Sequence, residues 1–483
     1  MKNRILILSL LIAICALGLF ARQTSPLTDD PLLGIWQGTM QTKIGSLEVY
    51  FTIEAGAQGA YQAKMSLPSQ KVREMPLQEV RSTPPDLVLD MASFGMIFEG
   101  RMAADSASIS GRLKIGEDSM DLTLHRSSGL PEMGRPQEPN RPYPYEETEV
   151  RFPNREASIQ LSGTLTLPPG PGPFPGIVLI SGSGPQDRDS TIAGHRPFLV
   201  WADFLTRRGI AVLRFDDRGT GKSEGDFHSA TTLDFASDAL AAWEYLKGRP
   251  GVDGGRIGFL GHSEGGIIAP IAAARNPEVA LLVLLAGTAI RGDRLAILQT
   301  EAISRSRGAG PEAIRKEALM NENMFRIIEA RGTAREAEGD LKRIIAESLA
   351  GMSAFEKKEL NLSEDSLLTD LKGTLADYPW NRFFLGYDPT TALRKIRCPV
   401  LALNGDKDTQ VPADVNLAAI GQALKEAGNK SYEVRKLSGL NHLFQTAQTG
   451  HPREYARIEE TVSPEVLKLV GDWILKNASL PAS

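Results

Sequence analysis

Two hydrophobic textures divide the chain. From residue 33 to about 126, short stretches alternate apolar and polar positions and are broken by Gly, Pro, Asp and Ser, at 47–53, 61–67, 87–89, 96–102, 107–113 and 120–124. A period of two at hairpin spacing predicts a small all-β domain over residues 32–126. Residues 127–146 then bring Pro131, Pro136, Pro139, Pro142 and Pro144 in quick succession. Prolines fix φ and remove backbone donors, so this stretch reads as a linker. Over residues 147–479 the texture changes to apolar β-branched runs at 176–180, 211–215, 257–260, 280–285 and 400–404, separated by helical patterns. Strands apolar on both faces and alternating with helices predict an α/β domain, with a mostly parallel sheet covered by helices on both sides. The stretch between 285 and 400 is too long for an ordinary connection, and its periodicity is helical from Asp293 to about Leu371. A helical cap over about 288–390 is expected, above the carboxyl ends of the strands.

Composition narrows the class. At 483 residues the chain exceeds what one core usually serves, so two or three domains are expected. The hydrophobic fraction of 42% and charged fraction of 23% are those of a globular protein. A net charge of −5 without a dense Lys/Arg stripe points away from nucleic acid and toward a small-molecule substrate. The N-terminus departs from this average, because Lys2 and Arg4 precede an apolar run from Ile5 to Phe20. That pattern reads as an export signal over residues 1–21, with cleavage after Gly18 or Ala21, and it predicts a periplasmic or extracellular protein. An uncleaved membrane anchor is the alternative, although the run is short of the roughly 20 apolar residues a span needs. A lipid-modified Cys15 is disfavoured by the bulky Ile14 before it. Cleavage leaves Cys398 as the one thiol, and the histidines show no metal-ligand spacing, so neither a disulfide nor a zinc site is expected.

The chemistry concentrates at Gly261-His262-Ser263-Glu264-Gly265-Gly266, directly after the apolar run 256–260 and before a helix-compatible stretch at 267–274. G-x-S-x-G between a buried strand and a helix is a nucleophile elbow. The two glycines let the backbone pass close to itself while Ser263 is held in strained geometry. The N–H of Glu264 then faces a developing oxyanion. Serine is a weak nucleophile, so an acid and a base must follow it in the chain. Two carboxylates, Asp406 and Asp408, lie in the loop after the run 398–403, and His442 follows the strand-like 432–436. His442 is preferred as base over His451, which precedes a proline and follows no strand. His125, His195, His228 and His262 precede Ser263 and read as structural or peripheral. The loop Ser181-Gly182-Ser183-Gly184-Pro185, after the run 176–180, is small enough to approach the site closely. Gly219-Thr220-Gly221-Lys222-Ser223 imitates a phosphate-binding loop, but the first glycine of that motif would fall at Asp216, so the pattern fails.

These segments together resemble the α/β-hydrolase superfamily, and within it the EstD-like esterases and the neighbouring serine aminopeptidase (S33)-like hydrolases. Asp408 matches the aspartate of a G-x-x-D-x-x-V-P pattern, which assigns it the acid and leaves Asp406 to organise the turn. Residues 216–223 match a D-x-R-G-x-G-x-S turn that buttresses such sites. By the same resemblance, Ser183 with Gly184 next to it supplies the second oxyanion donor, Ser181 standing where a histidine is usual. The resemblance covers roughly residues 147–477. It implies an α/β-hydrolase fold with a Ser263–His442–Asp408 triad and cleavage of short-chain carboxylic esters through an acyl-serine, without cofactor. Amide hydrolysis, thioester hydrolysis and acyl transfer use the same triad and stay open, as does a catalytically silent envelope-binding protein. An aminopeptidase would need cap carboxylates for the substrate amine, and Glu301, Glu317 and Asp377 are available. Separately, Gly34-Ile35-Trp36-Gln37-Gly38 resembles the first strand of lipocalin-like barrels. A barrel or a sandwich is therefore expected at the N-terminus, as a packing or spacer module or as a ligand binder. Oligomeric state and acyl specificity have no marker in the sequence.

Overall fold

The computed structural model describes residues 30–478 apart from 43–44, 57–59, 69–71, 92–95, 116–117, 132–134, 332–333, 361, 364–366 and 368–378. The expected export signal lies outside the described residues, as does Asp377. The described residues form two compact units, 30–136 with 193–195, and 137–192 with 196–478.

The first unit is all β. Strands β1 (Gly34–Thr42), β2 (Gly45–Ala55), β3 (Tyr61–Leu67), β4 (Val72–Pro76), β5 (Glu79–Thr83), β6 (Asp86–Met91), β7 (Met96–Met102), β8 (Ser108–Ile115) and β9 (Asp118–Ser127) form one antiparallel sheet in the order β4-β3-β2-β1-β9-β8-β7-β6-β5. Trp36, Phe51, Leu89 and Phe98, from strands spread across this sheet, share one buried cluster. The unit is therefore a single curled sheet around one core and not two stacked sheets. Trp36 is fully buried, with its indole N–H donating to Leu32 O at 2.9 Å and the Arg126 guanidinium 4.6 Å from its ring centre.

The second unit holds an eight-stranded sheet. Its strands are β10 (Glu146–Asn154), β11 (Ile159–Leu167), β12 (Phe174–Ile180), β13 (Ala211–Phe215), β14 (Val252–His262), β15 (Leu282–Leu285), β16 (Val400–Gly405) and β17 (Tyr432–Leu437), in the order β10-β11-β13-β12-β14-β15-β16-β17. The first two strands pair antiparallel, and β13 through β17 run parallel. The side chains of β12 show why this sheet needs two covers. Val178 and Ile180 enter one apolar cluster, whereas Ile177 and Leu179 enter another. The first is closed by helices α2 (Thr232–Lys247) and α3 (Gly265–Arg275), the second by α1 (Pro197–Arg207) and a C-terminal helix, Pro464–Ala478. The chain steps from β12 outward to β13 and returns past β12 to β14. The connections after β12 and β14 therefore diverge, opening a crevice at the strands' carboxyl ends, where α/β sheets bind ligands.

Between β15 and β16 the chain makes the expected helical insertion, with α4 (Gly292–Ser306), α5 (Pro311–Arg331), α6 (Ala334–Ala350), α7 (Ala354–Leu360) and α8 (Pro379–Gly386). It has its own apolar core around Met324, Leu341 and Ile345. Glu317 on α5 is fully buried there, accepting from the Ser304 hydroxyl at 2.8 Å. Its Oε1 and both polar atoms of Asn321 have no hydrogen-bond partner among the described residues. Burial, the largest effect, pushes the Glu317 carboxyl from its ordinary 4.5 up to about 8. The folded state thus keeps this proton through a range in which the unfolded chain releases it, so this residue's contribution to stability falls as pH rises from about 4.5 to about 8. In Glu317→Gln, the thermal midpoint should decline less over that range than in the wild type. Equal slopes in a pH series of melts would contradict the assignment.

Candidate active site

Strand β14 ends at His262, α3 begins at Gly265, and Ser263 between them has φ of +57°, in the left-handed region. For a residue with a Cβ that conformation costs roughly 1–2 kcal/mol. It is held by position: the Ser263 N–H donates to Leu285 O of the neighbouring strand at 2.9 Å. The turn is too tight for side chains on either flank, since a Cβ on Gly261 would lie 2.0 Å from Gly265 O, and one on Gly265 would lie 2.3 Å from Ile180 O. The glycines of the motif are therefore required by backbone contact.

Four loops at the carboxyl ends of parallel strands meet here. Asp408 follows β16, and its Oδ1 accepts from the backbone N–H groups of Gln410 and Val411 at 2.8 and 2.9 Å. Its Oδ2 lies 2.8 Å from Nδ1 of His442, which follows β17. Both residues are buried, so the pair interacts with little screening. Because the carboxylate is acceptor-only, this contact places the imidazole proton on Nδ1 and leaves Nε2 free to accept. Asp406 points elsewhere, accepting from Gly439 N–H at 2.7 Å and from the Ser438 hydroxyl at 3.0 Å, which ties down the turn leading to His442. His451 caps a short 3₁₀ helix, its Nδ1 accepting from Arg453 N–H at 3.0 Å, and burial lowers its pKa to about 4.

The loop after β12 reaches over the elbow. A Cβ on Gly182 would lie 3.1 Å from Ser263 Cβ, so the two backbones are in near contact. Ser183 and Glu264 line the same cavity as Ser263 and His442, whereas Gly184, in left-handed geometry with φ of +93°, does not. The loop is fixed by Asp217, a residue that the sequence reading left within the buttressing turn. Its carboxylate accepts from the Ser181 hydroxyl at 2.7 Å and from Gln186 N–H at 2.9 Å. Ser181 thus has a defined job. The neighbouring Asp216 binds Arg188 through two side-chain contacts of 3.0 and 2.6 Å and receives Lys222 N–H at 3.1 Å, which accounts for the D-x-R-G-x-G-x-S turn.

His262, read as structural or peripheral, also lines the cavity. Its Nε2 donates to His442 O at 2.9 Å, and burial, followed by the proximity of His442, depresses its pKa to about 3. It stays neutral and steadies the backbone of the histidine loop. The cavity has a volume of about 820 Å³ including its open mouth. Its far wall comes from the insertion, through Leu295 and Gln299 of α4 and Phe384 of α8. None of these stands in a motif, so only the packing of the insertion reveals them.

A doubly covered parallel sheet carrying a strained serine at a strand–helix turn, with an Asp–His pair from later loops, defines the α/β-hydrolase class. Residues 177–458 match the alpha/beta hydrolase family model, and the chain belongs to that family. Esterase EstD of Thermotoga maritima is 27% identical over 319 residues, covering 65% of this chain and 66% of that enzyme. Mitochondrial acyl-coenzyme A thioesterase 2 of Mus musculus is 33% identical over 141 residues, covering 29% of this chain and 27% of the thioesterase. Among solved structures, an alpha/beta hydrolase from Penicillium sp. sh18 superposes with a TM-score of 0.43 at 16% identity, over 69% of this chain and 100% of that one.

The elbow's backbone contact makes opposite predictions for two glycines. Gly261→Ala should lower stability by about 3 kcal/mol or more, whereas Gly339→Ala, exposed on α6 with open space around it, should raise it by up to about 1 kcal/mol. Urea denaturation of both variants measures the contrast, and a Gly261→Ala midpoint at the wild-type value would refute the turn geometry.

Proposed function

We propose that this chain is an exported serine hydrolase that cleaves carboxylic esters, most readily those with short acyl chains. The observation that carries the reading is the Asp408–His442 hydrogen bond in a cavity that also takes in Ser263 at its strained turn. Ser263 Oγ attacks the ester carbonyl while His442 Nε2 takes its proton, and Asp408 holds the imidazole tautomer and stabilises the imidazolium. The carbonyl oxygen gains the negative charge and accepts from the backbone N–H groups of Ser183 and Glu264. Collapse of the tetrahedral intermediate breaks the bond to the alcohol, which leaves with the proton from His442. Water, deprotonated by the same histidine, then attacks the acyl-serine, and collapse of the second intermediate returns the proton to Ser263 as the acid departs. The relative's name, an esterase, supports an ester as substrate.

The insertion would act as a cap that sets acyl specificity, because Leu295, Gln299 and Phe384 give the cavity its far side. Export rests on the basic-then-apolar pattern of residues 2–20, which also implies a periplasmic or extracellular location. The N-terminal sheet, with its buried Trp36, would serve as a lipocalin-like packing, spacer or binding module. A second reading, hydrolysis of acyl thioesters, draws on the similarity to an acyl-coenzyme A thioesterase over 141 residues.

A fluorophosphonate probe should label the wild type and Ser229→Ala, whose serine is exposed away from the cavity, but not Ser263→Ala. Labelling that persists in Ser263→Ala would sink the nucleophile assignment. Short aryl esters should be cleaved faster than acyl-coenzyme A thioesters or aminoacyl anilides, and the reverse order would replace the substrate class. Asp408→Asn should lower kcat by about 10⁴-fold with a small change in KM, as expected when the base loses its tautomer.

A further inference from the structure

Glu264 enters the proposed mechanism only through its backbone N–H, yet its side chain is tied to parts of the fold far from the elbow. The carboxylate is 2% exposed, and burial, the largest effect, raises its pKa above the ordinary value. Its Oε1 accepts from Trp380 Nε1 at 2.6 Å and from the Thr232 hydroxyl at 2.8 Å, and the nearby Ser183 side chain offsets part of the effect of burial. These three partners come from three parts of the fold: α8 of the insertion, the first residue of α2, and the loop after β12. Indole N–H can only donate, so a carbonyl-type oxygen is required opposite Trp380. An unpaired carboxylate in this position would cost several kcal/mol, which makes its retention beside the nucleophile informative.

Ser183 and Glu264 are also the two residues whose N–H groups the mechanism assigns to the oxyanion. The Glu264 side chain is therefore covalently part of one donor residue and lies near the other. It extends the same connection through Trp380 to the cavity wall, because Trp380 stacks on Phe384 with ring centres 4.8 Å apart, and Phe384 lines the cavity. A Cβ on Gly292, at the start of α4, would lie 2.3 Å from Phe384 O, so α8 is seated directly against the helix that carries Leu295 and Gln299.

We infer that the Glu264 side chain is a positioning residue, fixing the oxyanion donor on its own backbone through Trp380 and Thr232 and thereby tying the insertion to that donor. The inference rests on the proposed serine-hydrolase reading and deepens it. The consequence is that a change in the insertion remote from the acyl carbonyl alters kcat, because it moves a transition-state donor and not only a binding surface.

The test compares four variants on a short aryl ester, each first checked by thermal melting. Glu264→Ala removes the bonds to Trp380 and Thr232 and should lower kcat by about ten- to a hundredfold, the loss typical of a displaced reacting group. In Glu264→Gln the amide oxygen still accepts from both, so most of kcat should return. Trp380→Phe keeps an aromatic ring against Phe384 and removes only the donor; it should lower kcat with little change in KM. Gln299→Ala, a wall residue outside the Glu264–Trp380 connection, should act mainly on KM. If Glu264→Ala fails to fold, the Trp380→Phe and Glu264→Gln results decide by themselves. A folded Trp380→Phe enzyme with wild-type kcat, or a Glu264→Gln enzyme as impaired as Glu264→Ala, overturns the inference. Absence of fluorophosphonate labelling in the wild type would instead remove the hydrolase reading beneath it, and the two failures are told apart by that control.

Discussion

The site depends on one backbone contact, the approach of Gly261 to Gly265 O across the turn between β14 and α3. With that contact made, Ser263 has nowhere to go but the left-handed region, and its side chain is delivered to the crevice above the sheet. The strain is small beside what surrounds it. Phe259 on one face of β14 and Leu260 on the other are fully buried in separate apolar clusters, each worth about 2 kcal/mol or more of hydrophobic stabilisation. The sheet can therefore hold an unfavourable residue at its edge without losing the fold, which is how strained functional positions persist.

Above the sheet the organising force changes from apolar packing to buried charge. Asp408, Asp217 and Glu264 are each accounted for by donors, and each donor set fixes a different loop: the histidine, the two ends of the loop after β12, and the seat of α8. Buried carboxylates contribute little net stability but impose geometry, because an unsatisfied one is so costly that alternative loop positions are excluded. His262 belongs to the same scheme. Its neutral ring gives the His442 backbone a fixed partner without adding a positive charge beside the His442 imidazole.

The insertion has a different character. It has a separate apolar core, and the buried Glu317 and Asn321 leave it with polar atoms that have no partner among the described residues. It presents Leu295, Gln299 and Phe384 to the cavity, so the same segment that varies most freely in an α/β scaffold also forms part of the cavity wall. The Trp380–Glu264 bond connects this segment to the rigid elbow at one point.

Much of this was legible in the residues. Period-two alternation marked β3 and β7 to their ends, and a run apolar except for Arg214 marked β13, because each pattern follows from which faces are buried. The strands β4 and β5 are short, β5 carries exposed polar residues, and β10 is largely exposed along one face, so none of them left a comparable trace. The elbow was readable because its glycines and serine are consecutive, and Asp408 and His442 because their chain order and loops follow a known pattern. By itself, then, the sequence determined the α/β class, the strained turn at Ser263, and the loops that carry Asp408 and His442. Only the tertiary structure decided that Asp217 holds Ser181, that His262 holds His442, and that Glu264 is bonded to Trp380. Those bonds span 36, 180 and 116 residues, and a hydrogen bond between distant positions leaves no period or local spacing for a sequence to display.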